Sequence, residues 1–149
     1  MRVLKDTIQT DLTVAMKARD AVRTQTLRGV ITAIKNAEVE SRGTLDDDAV
    51  LSVITREAKR RRESIEAFGA ANRDDLVAKE TAELEILSAY LPQALTDEEL
   101  DLLISQTITE AGAVSPRDMG AVMKLLTPKV RGRADGAKVA AGVKARLGA

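Results

Sequence analysis

An all-α fold is what this sequence predicts, and three observations carry the prediction. Apolar residues recur at i, i+3 and i+4 over most of the chain, the spacing that lines one face of a helix. No sustained period-two alternation is present, and the one hairpin-like dipeptide, Asp135-Gly136, lies between two helical stripes. Aromatic residues are nearly absent (Phe68, Tyr90 and no Trp), so packing must rest on Leu, Ile, Val, Ala and Met, which interdigitate well between helices. A chain of 149 residues buries roughly 70% of its unfolded surface. That suffices for one domain or two small ones.

The first helix is expected from about Arg2 to Arg19, with Leu4, Ile8, Leu12 and Ala15/Met16 on one face. The second carries Leu27, Val30, Ile31, Ile34 and Ala37. It should end at Ser41-Arg42-Gly43, where Gly43 suits a left-handed C-terminal cap. Asp46, Asp47 and Asp48 open the third helix, because carboxylates favour the positive end of a helix dipole. Its stripe is Val50, Leu51, Ile54, Ala58, Ile65 and Phe68. A turn over Gly69–Asn72 follows, with Asn72 as the expected N-cap of a fourth helix that buries Leu76, Leu84, Leu87 and Leu91. Pro92 should stop that helix, since it lacks a donor and disfavours helical geometry at residue 91.

Pro92–Leu95 is the expected boundary between a domain at 1–92, a bundle of about four helices, and a three-helix module at 96–149. Thr96 with Glu99 reads as a capping box for the fifth helix, which faces Leu100, Leu103, Ile104 and Ile108 inward and ends at Ala111-Gly112-Ala113. Ser115-Pro116-Arg117-Asp118 is a second helix start, followed by Met119, Val122, Met123 and Leu126 on the buried face. Thr127-Pro128 should break or kink this helix. A last helix spans about Ala137 to Leu147, with Val139, Val143 and Leu147 inward.

Composition excludes several chemistries. There is no Cys and no His, so disulfides and thiolate or imidazole metal sites are ruled out. No Ser-x-x-Lys, Gly-x-Ser-x-Gly, Walker loop or G-x-G-x-x-G is present. The acids Asp46–Asp48 are better explained as a helix start than as a metal site. Neither catalytic residues nor a metal nor a cofactor is therefore expected. The first twelve residues carry charges too often for a signal peptide, and no apolar run approaches the roughly 18 residues of a membrane span. The expectation is a cytoplasmic protein.

Charge is unevenly placed. The chain has 23 Lys/Arg and 23 Asp/Glu, yet from Arg117 onward eight basic residues face only Asp118 and Asp135, a net +6. Such a separation can orient a protein on a polyanion, although small helical domains also carry it without function. Lys124, Lys129, Arg131, Arg133 and Lys138 gather around Gly132, which lets a backbone approach a partner closely. Those side chains can reach phosphate oxygens, and the lack of aromatics there favours docking on folded RNA over base stacking. The alternative is an ordinary charged loop.

In the third helix, Arg61 falls inside the apolar stripe, as do Glu80 and Glu83 in the fourth. A hairpin turning near residues 70–71 brings Arg61 level with Glu80, so a partly buried ion pair is expected. A semi-buried anion site would instead require Arg61 to be free of Glu80. Arg56, Lys59, Arg60 and Arg62 point to other sides, as a solvated face paired with Glu57, Glu63 or Glu66, or as a phosphate-tracking ridge.

Met119–Gly136, reading MGAVMKLLTPKVRGRADG, resembles the tail of GatB, a subunit of the tRNA-dependent amidotransferase, and the matching part of the YqeY proteins. Arg56-Glu57, Lys59, Arg61, Ser64, Phe68, Ala71, Arg73, Asp75-Leu76 and Tyr90-Leu91-Pro92 follow the YqeY pattern in order and spacing. The resemblance implies an all-α fold in two pieces and a role in recognising the body of tRNA. It also implies kinship with carbon–nitrogen ligases that use glutamine as amido-N donor, whose catalytic domains have no counterpart here. Three functions stay open: an accessory tRNA-binding module, a protein-interaction adaptor, and an amidotransferase-linked enzyme.

Overall fold

The computed structural model describes residues 3–148. In order it forms α1 (Val3–Lys17), α2 (Ala21–Ser41), α3 (Asp47–Ala70), α4 (Asp74–Ser88), α5 (Asp97–Ala111), a 3-10 turn (Pro116–Asp118), α6 (Met119–Val130) and α7 (Gly136–Arg146). The described residues contain no strand, and the fold is all-α. The chain divides into two compact units, Met1–Leu91 and Pro92–Ala149.

In the first unit α3 packs chiefly on α4 and α1 on α2, while α2 also touches both α3 and α4. Ile8, Leu27, Val30, Ile31, Ile34, Val50, Val53, Ile54 and Leu87 form its core. Asp20 and Asp46 start α2 and α3 by accepting from the N–H groups of Arg23 (3.0 Å) and Ala49 (2.9 Å). Glu38 braces three segments: Lys5 Nζ lies 2.7 Å from its Oε1, and the Leu45 N–H donates to its Oε2 at 3.1 Å. The expected start of α1 at Arg2 lies outside the described residues.

Several local expectations are corrected. The left-handed residue closing α2 is Arg42 (φ 57°), not Gly43, because the Gly43 N–H donates to Glu38 O and sets the reversal one residue earlier. Asn72 is not an N-cap. It takes the left-handed conformation (φ 57°) that ends α3, a geometry its short amide tolerates, and Arg73 occupies the cap position of α4 without a side-chain bond. On α3 the fully buried apolar positions end at Ala58, with Val53 inside and Leu51, Ile65 and Phe68 only half-buried. On α4, Leu87 is buried while Leu76, Leu84 and Leu91 are half-buried. That helix ends at Ser88, ahead of Pro92, and tightens into i→i+3 bonds from Tyr90 N–H to Leu87 O and Leu91 N–H to Ser88 O.

In the second unit α5 packs on α6 and α7, around Leu100, Ile104, Val122, Leu126, Val130, Val139, Val143 and Leu147. Thr96 caps α5 through the Glu99 N–H (3.1 Å), and Gly112 ends it at φ 65°. Asp118 Oδ2 accepts from the N–H groups of Val114 (2.9 Å) and Ser115 (3.1 Å), which hold its carboxyl below the usual carboxylate range. The expected break at Thr127-Pro128 does not occur, and α6 continues through Pro128 to Val130. Pro128 has no N–H to donate to the carbonyl of Lys124, an exposed residue one turn earlier.

Candidate functional site

The basic residues singled out near the C-terminus lie on α6, on the turn to α7 and on α7 itself. Gly132 adopts φ 74°, so the turn reverses where a side chain would be strained. This reversal places the Arg133 carbonyl to accept from the Leu95 N–H at 2.9 Å, and Arg133 Nε donates to Gln93 O at 3.0 Å. Arg133 therefore holds the segment entering α5.

The remaining cations have diverse surroundings. Lys129 Nζ sits 2.8 Å from Glu110 Oε2 and donates to the Thr107 hydroxyl at 3.3 Å. Lys138 pairs with Asp97, which raises its pKa. Arg131 is half-buried and engaged rather than free. Lys124 is the one cation of the five that is exposed without a partner among the described residues. On a helix of 100° per residue Lys124 and Lys129 stand about 140° apart, so closeness in sequence does not give them a common face.

The fold also changes the meaning of the charge gradient. The +6 tail shares its unit with Asp97, Glu98, Glu99, Asp101 and Glu110 of α5. From Pro92 onward eight basic residues meet seven acidic ones, leaving only +1. Arg146 Nη2 lies 3.2 Å from Asp101 Oδ1, so α5 answers both later helices. These pairs remain at the surface: 57% of the Lys138 side chain and 74% of Asp97 stay accessible. Exposed pairs of this kind contribute little stability and exchange partners readily.

In the first unit, Arg61 is surrounded by carboxylates. Its Nε lies 2.9 Å from Glu83 Oε2 and 3.5 Å from Glu80 Oε2, and its Nη1 lies 3.5 Å from Glu57 Oε2. Arg61 is 20% exposed and Glu83 10%. An anion site is excluded here, because the guanidinium is occupied from both helices. These carboxylates are not arranged to hold a metal ion either. Arg60 also meets Glu57 at 3.4 Å. Lys59 is engaged, while Arg56 and Arg62 are exposed without an ion pair among the described residues.

Two features go beyond the sequence expectations. The Tyr90 hydroxyl donates to Asp11 Oδ2 at 2.5 Å across 79 positions of chain. Burial, then the bond to Asp11 and its charge, push the phenol pKa well above its usual value, against a smaller opposing effect of Arg23. The second feature is a groove at the α1–α2 turn, lined by both Arg19 and Arg28.

Among the described residues no helix is long and apolar enough to cross a membrane. A family model described as Yqey-like protein matches residues 5–147. The chain is 37% identical over 112 residues to "Altered inheritance of mitochondria protein 41, mitochondrial" of Lachancea thermotolerans, covering 73% of this chain and 60% of that protein. The Kluyveromyces lactis protein of the same name is 37% identical over 113 residues, with the same coverage. The one from Saccharomyces cerevisiae is 37% identical over 93 residues, 62% of this chain and 50% of that protein. The chain thus spans about 60% or less of the length of these curated relatives. With the family model matching from the first helix to the last, this chain belongs to the Yqey-like protein family.

Proposed function

We propose that this protein is an accessory RNA-binding module whose ligand is folded tRNA, bound through α6, the α6–α7 turn and the start of α7. The observation that carries this reading is the pair of exposed lysines on either side of the Gly132 turn, Lys138, held only by the surface carboxylate of Asp97, and Lys124, held by none among the described residues, with Lys129 half-buried between Glu110 and the Thr107 hydroxyl. Phosphate oxygens outcompete an exposed carboxylate when several contacts form together and counterions are released. The likeness of Met119–Gly136 to the GatB tail supports tRNA as the RNA. Within this reading Arg133 positions the turn rather than touching RNA.

The test is a titration with total tRNA at two salt concentrations. Lys124→Glu with Lys138→Glu should weaken binding and flatten its salt dependence by about two in the log–log slope. Asp97→Asn with Glu110→Gln, which frees Lys138 and Lys129, should strengthen it. A merely structural role for these lysines gives no gain from the second variant. Unchanged affinity in both variants refutes the reading.

A further inference from the structure

The turn between α1 and α2 forms a groove of about 560 Å³, lined by Met16, Arg19, Ala21, Thr24, Gln25 and Arg28. Among the described residues neither Arg19 nor Arg28 has an ion-pair partner, and the side chains of Thr24 and Gln25 make no hydrogen bond. The one acid nearby in sequence, Asp20, is committed elsewhere. Its Oδ1 caps α2 through the Arg23 N–H and its Oδ2 lies 3.7 Å from Arg23 Nε. Residues 16–28 carry Lys17, Arg19, Arg23 and Arg28 against Asp20 alone, a local +3 in a unit that is otherwise acidic. Met16 leaves 48% of its surface in water, so the groove has apolar area as well as charge.

We infer that this groove binds a single phosphorylated nucleotide, with its phosphate on Arg19 and Arg28 and its base over Met16 and Ala21. Each guanidinium can donate two parallel hydrogen bonds to a phosphate. The planar base covers the apolar floor, which a bare phosphate leaves wet. The Gln25 amide carries both donors and an acceptor, and the Thr24 hydroxyl does the same, so together they meet a base edge or ribose hydroxyls. The volume falls within the roughly 300–1,000 Å³ of small-ligand sites. An acidic peptide would use the two arginines equally. What favours a nucleotide is the coincidence of two phosphate-binding groups, a floor for a flat ring and an amide able to read its edge. The nucleotide is either free or splayed out of an RNA. Only the RNA arm of the following test rests on the tRNA reading above.

The full chain is titrated with 5′-AMP, 5′-UMP, inorganic phosphate and total tRNA, while the Met16 methyl and Gln25 side-chain amide signals are followed by NMR. The comparison variant is Arg19→Gly with Arg28→Ala. Arg19 already stands at φ 56°, which glycine adopts freely, so the fold is kept. Both mononucleotides should move the Met16 and Gln25 signals, inorganic phosphate should not move Met16, and the variant should lose about tenfold or more in nucleotide affinity. If tRNA uses the groove, the variant's log–log salt slope also falls by about two. An unchanged slope with nucleotide binding intact in the native chain identifies the free nucleotide as the ligand. Equal nucleotide binding by native chain and variant overturns the inference. So do Met16 and Gln25 signals that neither mononucleotide moves. Loss of tRNA affinity in Lys124→Glu/Lys138→Glu alone leaves the tRNA reading standing without an RNA role for the groove, and loss in the groove variant alone does the reverse.

Discussion

In the first unit a guanidinium, Arg61, lies among three carboxylates of α3 and α4 with a fifth of its side chain exposed. In the second, Lys138 and Asp97 pair with more than half of each side chain in water. Both are opposite charges in contact between helices, yet burial gives them different work. The Arg61 cluster cannot give up a partner without stranding charge in a poorly hydrated place, so it fixes how α3 meets α4. The Lys138 pair exchanges its partner for water or phosphate at little loss. A charge is available for binding where it is cheap to release, and that condition holds in the second unit and at the α1–α2 groove.

The largest expected effect breaks this contrast at Arg61. Arg61→Ala leaves Glu57, Glu80 and Glu83 facing one another and should cost about 3 kcal/mol, the lower end of the range for breaking a buried pair, since the site is partly hydrated. Tyr90 is the only Tyr and no Trp is present, so intrinsic fluorescence in a urea titration reports the first unit. Lys138→Ala, followed by circular dichroism, should leave the unfolding midpoint within error. Comparable losses in the two variants would show that exposure does not separate the clusters.

A second contrast concerns how each unit holds the chain near Pro92. Tyr90 is tied to Asp11 by a partly buried hydrogen bond, whereas Gln93 is held by an exposed hydrogen bond from the half-buried Arg133. Tyr90→Phe should cost about 1 kcal/mol, below the 1.5–3 kcal/mol of a fully buried bond to a charged group. The raised phenol pKa gives this contribution a sign in pH. It is fully present below the unfolded phenol value of about 10 and fades as pH rises from there toward the folded value. Urea midpoints at pH 8 and pH 11 should therefore draw closer in Tyr90→Phe than in the native chain. Equal pH sensitivity of the two proteins would mean that the phenol is not the titrating group.

The all-α class and most helix starts were legible because their signals are local. Asp46, Thr96 and the Ser115–Asp118 pair announce their helices within four residues. Helix ends were less so. Whether Arg42 or Gly43 takes the left-handed turn depends on which carbonyl the last N–H finds, and either residue satisfies the pattern. The meeting of Arg61 with Glu80 and Glu83 could be anticipated, since one hairpin fixes the register of neighbouring helices. The pairing of α5 acids with α6 and α7 bases could not. A running charge count measures distance along the chain, and Asp97 and Lys138 are 41 residues apart. The α1–α2 groove differs: its basic residues are neighbours in the sequence, and what only the folded turn shows is that Arg19 and Arg28 line one groove.

Two glycines that look alike in sequence sharpen the comparison at its finest scale. Gly29 lies inside α2 with nothing within 4 Å of a hypothetical Cβ, while a Cβ on Gly142 of α7 would meet Ile104 Cδ1 at 2.7 Å. Both interrupt helices, so alanine removes the same excess backbone freedom at either site, a gain of about 0.5–1 kcal/mol. At Gly29 nothing within 4 Å opposes it, and Gly29→Ala should raise the unfolding free energy of the first unit by that amount, read as a higher urea midpoint. At Gly142 the methyl must displace a side chain that is 1% exposed in the core between α5 and α7. Overpacking of this kind costs about 1–3 kcal/mol, which cancels or outweighs the propensity gain. Gly142→Ala should therefore bring no stabilisation. An increase equal to that at Gly29 would mean that Ile104 finds another rotamer at no loss and that α7 packs less tightly on α5 than the 2.7 Å approach requires.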